Sequence, residues 1–226
     1  MTRGIFIAGN EGALCRAVEA ETHKRTEQYT AALIPNRLSE TLKNSEQENK
    51  KENEERIYID WNPSSPISAR ALVLAAENRL EHIDEAILIC SPPSIRCNPS
   101  VLPFPSVEIM INDNIKGWFF LVKELAAVFK SRGRGTLALV YPDINSSSVK
   151  DEAADILGPP ALATFRALSG GLLAAAHQES YITAGFSTSD AGNETAFASF
   201  IFKNIDEITK RSNGKLHKFG KFNFFK

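Results

Sequence analysis

The sequence is poor in the features that mark several large classes of protein. It holds three cysteines (Cys15, Cys90 and Cys97) and no Cys-x-x-Cys pair, so neither a disulfide framework nor a zinc ribbon is implied. Charge of neither sign dominates: 26 Lys and Arg stand against 27 Asp and Glu, a net charge of −1. That balance argues against a nucleic-acid binder, which needs a basic face. No charged leader with an apolar run opens the chain. The longest nearly apolar stretch, residues 161–176, is broken by Thr164, Arg166, Ser169 and two glycines, so it does not read as a membrane span. The four histidines (His23, His82, His177 and His217) lie apart, without a partner at ligand spacing, so no metal is expected. These absences predict a cytoplasmic, globular protein with no nucleic-acid or membrane partner. At 226 residues it is long enough for a core that needs no covalent staple.

What is present is alternation. Apolar runs at 4–8, 29–35, 56–60, 86–90 and 136–141 lack polar alternation, as strands covered on both faces do. Further strands are predicted at 180–185 and 216–222. Helical spacing fills the gaps at 12–22, 67–80, 106–131, 160–178 and 195–211. This order predicts a doubly wound, mostly parallel α/β sheet, three layers deep, with residues 1–226 forming one Rossmann-like domain. Residues 43–56 are almost wholly charged or polar and read as an exposed helix end or loop.

In an open parallel sheet, ligands bind beyond the carboxyl ends of the strands where the strand order reverses. The loop to inspect is therefore the one after the first strand, Ala8-Gly9-Asn10-Glu11-Gly12-Ala13-Leu14-Cys15. A helix starting there aims free N–H groups at a phosphate. Gly9 permits a tight turn and the small Ala13 permits close approach, whereas Glu11 repels a pyrophosphate. A plain strand-to-helix turn accounts for the same residues.

Further stretches fall in a recognisable order. Ile59-Asp60 closes the third strand, Ile83-Asp84 leads into the fourth, and Ile89-Cys90-Ser91-Pro92 follows it. Asn112-Asp113-Asn114-Ile115-Lys116-Gly117 lies mid-helix, and Arg134-Gly135-Thr136 opens the fifth strand. Together these resemble the short-chain dehydrogenase/reductase family over essentially the whole chain. The resemblance implies an NAD(P)-dependent oxidoreductase. It implies cofactor contacts at Gly9, Asn10, Glu11, Ala13, Leu14, Asp60, Trp61, Ser91, Pro92 and Asn114. Only one glycine of the family's T-G-x-x-x-G-x-G is in place, since Ala13 and Cys15 occupy the other two positions.

The family's chemistry rests on Y-x-x-x-K, in which a lysine one turn along a helix lowers the tyrosine pKa. Four residues after Tyr29, Tyr58, Tyr141 and Tyr181 stand Leu33, Asn62, Asn145 and Gly185, so the motif is missing. In the matching helix Leu162 takes the tyrosine slot and Arg166 the lysine slot. Tyr141-Pro142-Asp143 stands where the family has its catalytic serine. Asn114, Tyr141 and Asp143 remain as weak catalytic candidates. Two readings stay open. One is a degenerate member that retains nucleotide binding in a regulatory or scaffolding role. The other is an NADP(H)-dependent oxidoreductase with non-standard residues, NADP(H) being favoured because Arg37 follows the second strand without an acidic neighbour.

The family also pairs two long helices across a two-fold axis. Here they are 106–131, where Trp118, Phe119, Phe120, Leu121 and Val122 run round the helix, and 160–178, rich in alanine and glycine. Gly170 and Gly171 read as a close helix approach. A homodimer or tetramer through these helices is expected.

Overall fold

The computed structural model describes residues 3–26, 28–34, 58–143, 154–190, 192–209 and 212–220. In chain order the elements are β1 (Ile5–Asn10), α1 (Ala13–His23), β2 (Tyr29–Ile34), α2 (Pro66–Leu80), β3 (Glu85–Ile89) and α3 (Phe104–Ile111). There follow α4 (Gly117–Arg132), β4 (Thr136–Pro142), α5 (Gly158–Ala175), β5 (Ile182–Thr188), α6 (Glu194–Glu207) and β6 (Leu216–Phe219). The six strands form one sheet in the order β2-β1-β3-β4-β5-β6. Every pairing is parallel, so the expected mostly parallel sheet is wholly so among the described residues.

Each strand divides its side chains between two cores, as a period of two requires. Phe6 and Ala8 of β1 join Ala86 and Leu88 of β3 and Leu137 and Leu139 of β4 beneath α2, α4 and α5. Ile5 and Ile7 join Ile87, Ile89, Ala138 and Val140 on the opposite face, under α1 and α6. This burial on both faces is why the strands read as unbroken apolar runs.

Local chemistry sets the helix ends. Ser65 caps α2 by accepting the Ser68 N–H at 3.3 Å, and Pro66 supplies the first-turn φ. Gly133, in the left-handed region at φ 67°, ends α4. The single long helix expected over 106–131 is instead α3 and α4 joined by a π-helical turn, Asn112–Lys116. Its extra residue brings Asp113 and Asn114, each 2% exposed, against the sheet edge.

Two expectations are corrected here. The strand expected at 56–60 is, over its described part, one parallel bridge between Tyr58 and Ala31 beside β2. The chain leaves the sheet edge there because Trp61 turns into the core. The apolar girdle expected around residues 118–122 is also one-sided. Trp118 and Leu121 are buried in the chain's own core, Trp118 packing edge-on to Phe165 at 5.1 Å, while Phe119 is 47% exposed. Arg37 and the charged stretch 43–56 lie outside the described residues. Among the described residues no helix is long and apolar enough to cross a membrane.

Candidate functional site

The strand order reverses between β1 and β3, so their carboxyl ends frame the crevice in which such sheets bind ligands. Asn10, the last residue of β1 and 4% exposed, ties this edge together. Its amide donates to Asn114 Oδ1 at 2.5 Å, and its carbonyl oxygen accepts the Ser91 N–H at 2.8 Å. One side chain thus links the first strand, the loop after β3 and the π-helical turn. Asn10 was read from the sequence as a ligand contact. Its partners assign it the further role of clamp, a role that depends on a residue 104 positions away.

The loop between β1 and α1 is tight on one side and open on the other. A Cβ on Gly9 would lie 2.9 Å from Cys15 Sγ and 3.1 Å from Ile89 Cβ, so glycine there lets α1 press on the sheet. Burial pushes the Cys15 thiol up, and the nearby Glu19 carboxylate adds to the effect, so this sulfur fills space and is not a nucleophile. At Gly12 a Cβ would meet nothing nearer than 3.9 Å. No side chain caps the N-terminus of α1. Its first two residues are the exposed Ala13 and the buried Leu14. Glu11 is exposed beside them, its N–H donating to Ile34 at 3.3 Å. Across the crevice Asp60 is exposed, Trp61 is buried with its indole N–H unpartnered, and Ser91 and Pro92 are half-buried.

On the other side of Asn114 the space is filled. Met110, one turn earlier and 2% exposed, packs with the buried Ala161 and with Ile95, Ile115 and Leu157. An antiparallel bridge from Arg96 to Asp155 ties the loop after β3 to the segment before α5. Asp155 also caps that helix, accepting the Gly158 N–H at 2.9 Å. This apolar plug has no periodic signature, since its residues come from three separate segments.

The catalytic candidates gather around α5. Leu162 packs against the core, and Arg166 forms an ion pair with Asp143 at 3.1 Å. Tyr141, at the end of β4, is 5% exposed and meets the Phe165 ring edge-on at 6.1 Å. Burial raises its phenol above the usual range. Arg166 and the Ser169 hydroxyl oppose that rise, and Asp143 reinforces it. The structure thus brings Tyr141, Asp143, Arg166 and Ser169 together, while Asn114 is held by Asn10. Ser169 was read from the sequence as a break in the apolar stretch 161–176. It is fully buried, whereas a Cβ on Gly170 or Gly171 would meet nothing within 4 Å, so among the described residues no other helix approaches there. Among the described residues no group of three or more His, Cys, Asp or Glu is placed to hold a metal ion.

No protein-family model matches the sequence, and no curated protein matches it significantly. Solved structures do match. A serine dehydrogenase from Escherichia coli superposes with a TM-score of 0.67 over 95% of this chain and 96% of that one, at 11% identity. A short-chain dehydrogenase/reductase from Brucella ovis, in complex with a partially ordered NAD, gives 0.70 over 96% and 100%, at 12% identity. The fold is that of the short-chain dehydrogenase/reductases. An NADH-dependent reductase complexed with NAD gives 0.66 over 96% and 95%, also at 12% identity. Identities this low speak for the architecture alone, and the chemistry has to be argued from the side chains.

Proposed function

We propose that this chain is a short-chain dehydrogenase/reductase-like protein that keeps nucleotide binding in a regulatory or scaffolding role and has lost standard hydride transfer. The observation that carries this reading is Arg166 in the lysine slot, ion-paired with Asp143 at 3.1 Å, one turn from Leu162 in the tyrosine slot. Leucine has no proton to give, and a guanidinium stays charged at any working pH. Tyr141 offers a hydroxyl, but burial raises its phenol above the usual range and so weakens it as an acid.

The residues at the β1–α1 loop fit a dinucleotide. The uncapped start of α1 and the open space over Gly12 suit a pyrophosphate held by the N–H groups of Ala13 and Leu14. Asp60 lies on the side of the adenosine, and Arg37 is assigned to a ribose 2′-phosphate, which favours NADP(H) over NAD(H). Such a cofactor, when bound, supplies hydride; this chain's contribution is to hold it. Two NAD-bound proteins among the structural neighbours support the assignment of cofactor class. Fluorescence titration with NADPH and NADH tests it. Micromolar NADPH binding, weakened by Arg37→Ala while NADH is unaffected, is the expected result. No binding at millimolar concentration, or equal loss for both cofactors, contradicts it.

A second reading, an NADP(H)-dependent oxidoreductase with non-standard residues, rests on the grouping of Tyr141, Asp143 and Arg166. It requires turnover that depends on Tyr141.

We further propose that copies of the chain pair through α3, α4 and α5. Phe104, Ile111 and Phe119 are 86%, 43% and 47% exposed along one helical stripe, and the small residues of α5 face outward beside them. Phe119, not the buried Trp118, is therefore the side chain to change. Light scattering should give a multiple of the monomer mass, falling to the monomer in Phe119→Glu. A wild-type monomer at micromolar concentration overturns the pairing.

A further inference from the structure

The opposite edge of the sheet, where the strands begin, carries a cleft of about 450 Å³, within the range of small-molecule sites. Its polar wall comes from the starts of β1, β3 and β4. Arg3 lies 3.1 Å from Glu85 and 2.6 Å from Asp206, while Asp206 also takes Arg25 at 2.6 Å. Asp84 is paired with His82 at 3.2 Å and Arg132 at 3.6 Å, and accepts the Gly4 N–H. The facing wall is apolar: Ile182, Ile205 and Ile208.

Accounting for each charge leaves two groups with an accessible end in the cleft. Glu85 is 95% buried by its 5% exposure, lines the cleft, and has one close contact, the Arg3 guanidinium on a single oxygen. Its other oxygen is not shut away from solvent and stays accessible on the cleft side. Arg134 lines the same cleft, is exposed, and has no anionic partner among the described residues. The register brings the two together, because Glu85 pairs with Thr136, two residues past Arg134. A carboxylate with one oxygen accessible in the cleft and an exposed guanidinium without an anionic partner among the described residues, set beside an apolar wall, define the complement of one chemical class. We propose that this cleft binds a small zwitterion, an α-amino acid with an apolar side chain. Its ammonium meets Glu85, its carboxylate meets Arg134, and its hydrocarbon lies on the isoleucine wall.

Burial pushes the Glu85 carboxyl up, Arg3 opposing and Asp206 and Asp84 reinforcing, and a ligand ammonium relieves that cost. The cleft lies at the far end of the strands from Asn10 and Asn114, so the proposal stands apart from the nucleotide reading.

The test compares leucine with two halves of it, isocaproate (no ammonium) and isoamylamine (no carboxylate), by calorimetry and by amide shifts in the labelled protein. Leucine is expected to bind about tenfold or more tighter than either, with the largest shifts at Gly135 and Thr136. Arg134→Ala, an exposed change that leaves the core intact, should weaken leucine about tenfold and isoamylamine little. Glu85→Gln should do the reverse, weakening leucine and isoamylamine but not isocaproate. Asn10→Ala should leave all three unchanged. Leucine binding no tighter than either half, binding indifferent to Arg134→Ala, or no binding at millimolar leucine would each overturn the proposal.

Discussion

The two edges of the sheet are built from the same strands and treat their polar groups in opposite ways. At the carboxyl edge Asn10 satisfies Ser91 and Asn114, Arg166 neutralises Asp143, and an apolar plug fills the space beside them. At the amino edge an open cleft is lined by Glu85, paired with Arg3, and by the exposed Arg134. A fold places its usual chemistry at the first edge through loop residues, and loops change without disturbing the sheet. Here the carboxyl edge is lined by satisfied polar groups and apolar side chains, while charge has collected at the amino edge.

The comparison can be broken at single residues. The largest effect is expected at the amino edge, where Gly135 has φ 139° and a Cβ would lie 2.2 Å from the Phe129 ring. Gly135→Ala should cost roughly 2–5 kcal/mol by denaturant unfolding, from backbone strain plus overpacking. Asn10→Ala at the carboxyl edge should cost about 1–3 kcal/mol, because it leaves a buried N–H and a buried carbonyl oxygen without partners. Gly12→Ala in the same loop should change stability by no more than about 0.5 kcal/mol, since the space there is open.

A pH series sharpens the contrast. The Glu85 carboxyl is raised in the fold, so its contribution is fully present below the unfolded value and is lost as pH rises through the folded one. Asp206 is lowered, with Arg25 and Arg3 bonded to it outweighing its desolvation, so its contribution is present at neutral pH and lost on acidification. Stability of Glu85→Gln relative to the natural chain should therefore climb from acid to neutral pH. A difference that stays flat would mean that Glu85 is not the strained member of the cluster.

The sheet was legible because a strand buried on both faces announces itself, as Ile5-Phe6-Ile7-Ala8 does by feeding two cores at once. Helix spans were legible for the same reason of period, as at 67–80, although the π-helical turn inside 106–131 was not. What escaped depends on contacts between distant segments. The bridge at Tyr58 looked like a full strand because its run is apolar, and only the turn of Trp61 into the core shows why it stops. Trp118 looked like an interface residue because a helical run of aromatics does not say which ring the sheet covers. The pair Arg166–Asp143 joins the end of β4 to α5, and the amino-edge cleft joins five elements, so neither leaves a spacing to read.

The central claim is that the carboxyl edge holds a nucleotide without transferring hydride. The direct measurement is the loss of NADPH absorbance with a panel of carbonyl compounds, for the natural chain and for Tyr141→Phe. The account predicts rates indistinguishable from the uncatalysed background in both. Turnover by the natural chain that vanishes in Tyr141→Phe would contradict it and would make Tyr141 the proton donor of an active oxidoreductase.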